Sequence, residues 1–288
     1  MTITSAGTEV GVGYAGRQRV RLSHPASGTA DVYAHGGQVL SWRHPTGEVL
    51  FLSTRADARQ ETHAGIPILF PQFGKGVGAT TGPLPQHGFA RNGEWKIGEH
   101  GVDSKGRATA TLSLRPTPDV RALWPHDFRL DLDVVLGSTL KLTMRVANAG
   151  AAPFSFTGGF HSYFRVADAR TARVEGLQGL RYRDKTADWA EATDTDPALS
   201  PNGETDRVYL GAPTRLRLRD TARCLRIEST GFANVVVWNP GPELNDNFDF
   251  AREEWSQFVC VEPATVFAPV VLPSGGTWRG EQTVCIET

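Results

Sequence analysis

Three short stretches of this sequence carry side chains able to move protons or hold polar ligands. In Leu84-Pro-Gln-His-Gly-Phe-Ala-Arg91, Gln86, His87 and Arg91 place an amide, an imidazole and a guanidinium within six residues. Such a group hydrogen-bonds hydroxyls and pairs with an anion through the guanidinium fork. The preceding segment, Ala64 to Gly74, contains Pro67 and Pro71 and is stiff enough to form a wall. A Pro-rich surface loop with a stray arginine would have the same composition. In Gly158-Gly-Phe-His-Ser-Tyr-Phe164, His161 follows a glycine pair and sits among aromatic residues, which would tune its pKa. A satisfied core histidine would look the same. In Phe258-Val-Cys-Val-Glu-Pro-Ala264, Glu262 ends a strand that is otherwise apolar. A carboxylate there must be paired, hydrogen-bonded or functional, and an ion pair with one of the many arginines is the alternative.

Metal chemistry finds less support. Asn245, Asp246 and Asp249 follow the apolar run Val235 to Trp238, but their spacing lacks a calcium-loop pattern and reads as a solvated loop. His63, His87 and His161 lack HxH or HExxH spacing for zinc. Cys224, Cys260 and Cys285 are odd in number and dispersed, so they form neither a disulfide framework nor a CxxC pair. No metal site is expected.

The elements that must position these groups are strands. Leu130, Leu132, Val134 and Leu136 alternate with polar residues, and Leu140, Leu142, Met144 and Val146 repeat the pattern beyond Gly137 and Ser138. Leu112 with Leu114, Leu216 with Leu218 and Leu225 with Ile227 add further strands, and Val235 to Trp238 reads as a strand buried on both faces. Helical periodicity is scarce: residues 249–257 hold at most one short turn. With 31 Gly and 18 Pro as punctuation, the expectation is an all-β fold, a large antiparallel β-sandwich formed by 1–288 as a single domain. Long loops are expected at 55–65, 74–95, 183–207 and 239–256, a length that in compact domains usually signals function or disorder.

A net charge of −1 over 288 residues removes the electrostatic case for nucleic acid or an anionic membrane surface. No run approaches the roughly 18 apolar residues of a membrane span, and Met1 to Arg21 lacks the pattern of a secretory signal. A cytoplasmic monomer with reduced thiols is expected, with no nucleic-acid or membrane partner.

Six pieces, AGIPILFPQFG, LPQHGFARN, FHSYF, GETDRVY, VVVWNP and FVCVEPA, together resemble the glucose-6-phosphate 1-epimerase (hexose-6-phosphate mutarotase) branch of the aldose 1-epimerase superfamily. They occur in that family's order across roughly residues 36–264. The resemblance implies a sandwich of the galactose-mutarotase type with a sugar cleft on one sheet. It carries the catalytic pair onto His161 and Glu262, and substrate contacts onto Gln86, Arg91, Asp206 and His87. Where phosphate-handling relatives usually have arginine, this chain has His63, which cannot form a guanidinium fork. Arg91 would then take a 6-phosphate, with Arg55, Arg59 or Lys75 as further cations.

Interconverting α and β anomers moves only heteroatom protons, so the reaction the resemblance implies needs no cofactor. Ionised Glu262 would take the C1 hydroxyl proton and protonated His161 would supply one to O5, with Phe73 or Trp238 stacking on the ring. The ligand is a small sugar or sugar phosphate. A mutarotase for unphosphorylated aldoses, a non-catalytic carbohydrate-binding protein, and a hydrolase pairing Glu262 with Asp206 or Asp249 stay open as alternatives.

Overall fold

The computed structural model describes residues 3–55, 63–75, 84–243 and 250–287. Its strands form three antiparallel sheets. An N-terminal sheet runs Gly7–Val12, Gln18–His24, Gly28–Tyr33, Val39–His44 and Gly47–Glu48. A nine-stranded sheet is centred on Thr277–Glu287, Leu140–Asn148 and Phe128–Leu136. An eight-stranded sheet orders Ala190–Thr193, Arg181–Asp184, Thr205–Tyr209, Asn234–Asn239, Phe258–Leu272, Phe154–Phe160 and Ile68–Leu69, with Tyr163–Arg165 also paired to Phe258–Leu272.

Period-two alternation places one face of each strand in a shared core. Leu130, Leu132 and Val134 of the nine-stranded sheet meet Phe156, Val235, Val237, Val259 and Val261 of the eight-stranded sheet, and Val20, Leu22 and Trp42 join from the N-terminal sheet. The eight-stranded sheet is buried on its other side too, because Val208, Val236, Ala264 and Val266 form a second cluster there. Val235 to Trp238 thus lies within a strand covered on both faces, as its unbroken apolar run predicts.

Three local expectations need correction. Phe258–Leu272 continues ten residues past Glu262, so this carboxylate lies mid-strand. Pro263 looks like a terminator, yet it falls where the neighbouring strand changes from Phe154–Phe160 to Tyr163–Arg165, a gap in the ladder that needs no N–H at that point. The stretch 183–207 is not a loop. It contains Ala190–Thr193, Ala198–Leu199 and the start of Thr205–Tyr209. Ala190–Thr193 is exposed throughout and is held by its backbone ladder and by Glu191 ion pairs to Arg181 and Arg183, so no hydrophobic alternation marks it. The short turn expected at 249–257 is a 3₁₀ segment, Arg252–Gln257, and a six-residue α-helix, Pro118–Leu123, capped by Thr117, was not foreseen.

Candidate active site

Register decides which side chains meet. Asp206 lies opposite Trp238, and Trp238 opposite Cys260; Val208 lies opposite Val236, and Val236 opposite Glu262. Even-numbered residues of these three strands therefore project from the face turned away from the main core. His161 reaches that face by a different route, at the break between Phe154–Phe160 and Tyr163–Arg165, where its N–H donates to the Pro67 carbonyl at 3.0 Å. The glycine pair before it is sterically required. A Cβ on Gly158 would stand 2.2 Å from the Leu69 carbonyl oxygen, and one on Gly159 2.4 Å from that of Pro263.

His161 and Glu262 come together. Nδ1 and Oε1 are 3.3 Å apart, and the two residues are only 8% and 1% exposed. The contact falls short of a hydrogen bond, and neither His161 Nδ1 nor Glu262 Oε2 has a hydrogen-bond partner among the described residues. Burial drives the His161 imidazole well below its ordinary pKa, with His87 and Arg91 adding to the effect. Burial likewise drives the Glu262 carboxyl well above the carboxylate range, helped by the nearby Asp206. Both shifts favour the uncharged forms, imidazole and carboxyl. They oppose the ionised Glu262 and protonated His161 expected from the sequence, the forms that burial disfavours. The His161 ring also stacks on Tyr163, with centroids 4.6 Å apart and planes 8° from parallel.

Loops supply the other walls. His87 has a positive φ of 66°, and its turn is closed twice over: its N–H donates to the Gly74 carbonyl at 2.7 Å, and its Nδ1 accepts the Gly74 N–H at 3.1 Å. An accepting Nδ1 requires the neutral ring to carry its proton on Nε2. Burial and Arg91 also hold His87 neutral by pushing its pKa down. Arg91, on the 3₁₀ turn Ala90–Asn92, is buried and donates through Nη2 to the Gln86 carbonyl at 2.9 Å.

All seven residues singled out from the sequence, His63, Gln86, His87, Arg91, His161, Asp206 and Glu262, line one pocket. Phe73 and Trp238 line it as well. Tyr163 and Lys185 were missed. Tyr163 was visible in FHSYF two residues past the histidine, on the same strand face. Lys185 carried no signal, because the polar run around it gives no hint that it folds back beside Asp206. Its Nζ lies 2.6 Å from Asp206 Oδ2. Burial raises the Asp206 pKa, and Lys185 opposes that shift. Arg55 and Lys75 are exposed and do not line the pocket, while Arg59, Asn245, Asp246 and Asp249 lie outside the described residues. The described residues form a small cleft with an imidazole and a carboxyl in contact at its floor, polar groups on its walls, an aromatic surface and the basic side chains of Arg91 and Lys185.

Comparison with known proteins agrees in kind. The sequence model of the aldose 1-epimerase family matches residues 18–285. The chain is 37% identical over 279 residues to a protein of Cenchrus ciliaris named, provisionally, glucose-6-phosphate 1-epimerase, a match covering 92% of this chain and 83% of the relative. A Salmonella typhimurium protein with the same provisional name is 34% identical over 272 residues, covering 92% of this chain and 89% of the relative. The crystal structure of a provisionally assigned mutarotase from Salmonella typhimurium superposes with a TM-score of 0.85 at 31% identity, covering 98% of this chain and 97% of that one. A galactose mutarotase-like protein from Clostridium acetobutylicum shares the fold at 15% identity, with a TM-score of 0.79 over 99% of this chain and all of its own.

Proposed function

The chain belongs to the aldose 1-epimerase family, enzymes that interconvert sugar anomers, and we propose that its substrate is a hexose 6-phosphate and that His161 and Glu262 move the protons. The observation that carries this reading is the buried imidazole and carboxyl, 3.3 Å apart on the floor of a polar cleft. Opening the pyranose breaks the C1–O5 bond, removes a proton from the C1 hydroxyl and delivers one to O5. Glu262, once ionised, takes the first proton, and His161 supplies the second. Passing a proton from carboxyl to imidazole prepares that form of the pair, and the polar atoms of a bound sugar replace solvation lost by burial. Rotation about C1–C2 presents the other face of the aldehyde, and closure is opening run backwards. A pair with one proton works in both directions. Each group contributes about 10² to 10⁴ in rate.

Gln86, Asp206 and the Nε2–H of His87 hold hydroxyls, and Trp238 and Phe73 offer faces for the ring. Arg91 takes the 6-phosphate, and its fork suits a phosphate better than the His63 imidazole does. A single catalytic domain, acting as a cytoplasmic monomer without nucleic-acid or membrane partners, completes the proposal.

The test is anomer exchange of glucose and glucose 6-phosphate, measured by NMR side by side at low and high salt. The phosphorylated sugar is expected to exchange faster, with an advantage that shrinks as salt screens the cations. Equal rates for the two sugars would replace hexose 6-phosphate with unphosphorylated aldoses. Sugar binding without faster exchange of either would remove catalysis altogether.

A further inference from the structure

Beside the imidazole and carboxyl lies a third group that proton transfer does not use. Cys260 is fully buried and sits two residues before Glu262, on the same face of the strand. A nitrogen of His161, the sulfur of Cys260 and a carboxylate oxygen of Glu262 all lie within 4.8 Å of one another. We propose that these three side chains form a chelating site for a thiophilic divalent cation, zinc above all, and that filling it excludes the sugar.

Zinc bonds of about 2.0–2.3 Å in a tetrahedron set donor atoms roughly 3.5 Å apart. The imidazole and carboxylate, at 3.3 Å, already stand at that separation. The thiol must close little more than about 1 Å, a side-chain adjustment rather than a backbone one. His161 Nδ1 has no competing bond to give up, being buried and without a hydrogen-bond partner among the described residues, and the same holds for the second carboxylate oxygen, Glu262 Oε2. The donor set selects the ion. Thiolate with imidazole suits zinc, whereas magnesium and calcium require six or more oxygen ligands. Three protein ligands leave the fourth position open toward the cleft, as in zinc sites that retain an exchangeable ligand. On binding, the thiol proton and any proton held by the imidazole or carboxyl pass to solvent. This trio differs from the three histidines considered from the sequence, because Cys260 became a candidate only once the fold brought His161 beside it and Glu262.

That the cation blocks the sugar rests on the proposed roles of His161 and Glu262, whereas binding itself does not. The experiment therefore reads both. Cobalt(II) chloride, titrated into the whole protein, is expected to produce a thiolate-to-cobalt charge-transfer band that excess zinc removes. The Cys260→Ala variant is expected to lose that band and weaken zinc binding about 10- to 100-fold, measured by calorimetry. Zinc should also stop anomer exchange in the wild type, and a chelator should restore it. A wild type with no charge-transfer band overturns the site, as does a band that persists in Cys260→Ala, since it would come from Cys224 or Cys285. Should Cys260→Ala fail to fold, displacement of the wild-type band by glucose 6-phosphate decides, and a band indifferent to the sugar overturns the placement. Protein that shows the band but catalyses no exchange keeps the metal site and loses the catalytic reading.

Discussion

A carboxyl group that is 1% exposed resists ionisation, and in the proposed reaction that resistance at Glu262 serves proton transfer. Its pKa is raised by burial, so its favourable contribution to folding is full below its ordinary value of 4.5 and is lost as pH rises through the folded-state value. Glu262→Gln removes the titration. The variant is expected to melt increasingly above the wild type as pH climbs above about 4.5, while anomer exchange falls about 10²- to 10⁴-fold. A melting difference that does not change with pH would show that the carboxyl titrates normally. The opposite shift at His161 has the opposite sign, with stability present above its ordinary 6.5 and lost as pH falls. Together they predict a broad pH plateau for kcat/KM. Its acid limb should lie below the imidazole range and its alkaline limb above the carboxylate range, read from exchange rates across pH.

At the level of the element, His161 owes its place to an interrupted strand. Three backbones converge at Gly158 and Gly159, and the chain then breaks before pairing again at Tyr163. Gly159→Ala puts a methyl group against the Pro263 carbonyl and Ala264, both backbone-bound and unable to retreat. It is expected to cost about 1–3 kcal/mol by thermal or urea unfolding, and to depress exchange in the protein that still folds, because the break that aims His161 is distorted. The Asp184 turn is a smaller device of the same kind. Its carboxylate accepts from the Thr186 N–H at 3.0 Å and hydroxyl at 2.6 Å, fixing the turn that carries Lys185. Asp184→Ala should cost about 0.5–2 kcal/mol in the same unfolding measurement.

Across the whole molecule, the loop that bears the cleft walls is riveted to both large sheets by one ring. Phe70 packs against Phe128 of the nine-stranded sheet, Phe156 of the eight-stranded sheet, and Phe89 and Trp124. Its backbone carbonyl also accepts from the N–H groups of Phe89 and Ala90, at the entrance to the turn that holds Arg91. Phe70→Ala is expected to lose about 3–5 kcal/mol of stability in denaturant titration, together with much of the sugar affinity. A variant of normal affinity would show that the Arg91 turn holds without the aromatic anchor.

Amino-acid order alone dictated the strands and their faces, because period-two alternation in segments such as Leu130 to Leu136 needs only local geometry to be read. It also identified His161, Glu262 and the Gln86 to Arg91 loop, whose chemistry is conspicuous among apolar and glycine-rich neighbours. Folding in three dimensions chose the rest. Lys185 beside Asp206, His161 beside Cys260 and Glu262, and the continuation of a strand through Pro263 all depend on which segment lies next to which, a pairing across up to about a hundred residues that no local pattern encodes. The direction of each pKa shift belongs to that same class, since desolvation is a property of everything packed around a group and not of the group's place in the chain.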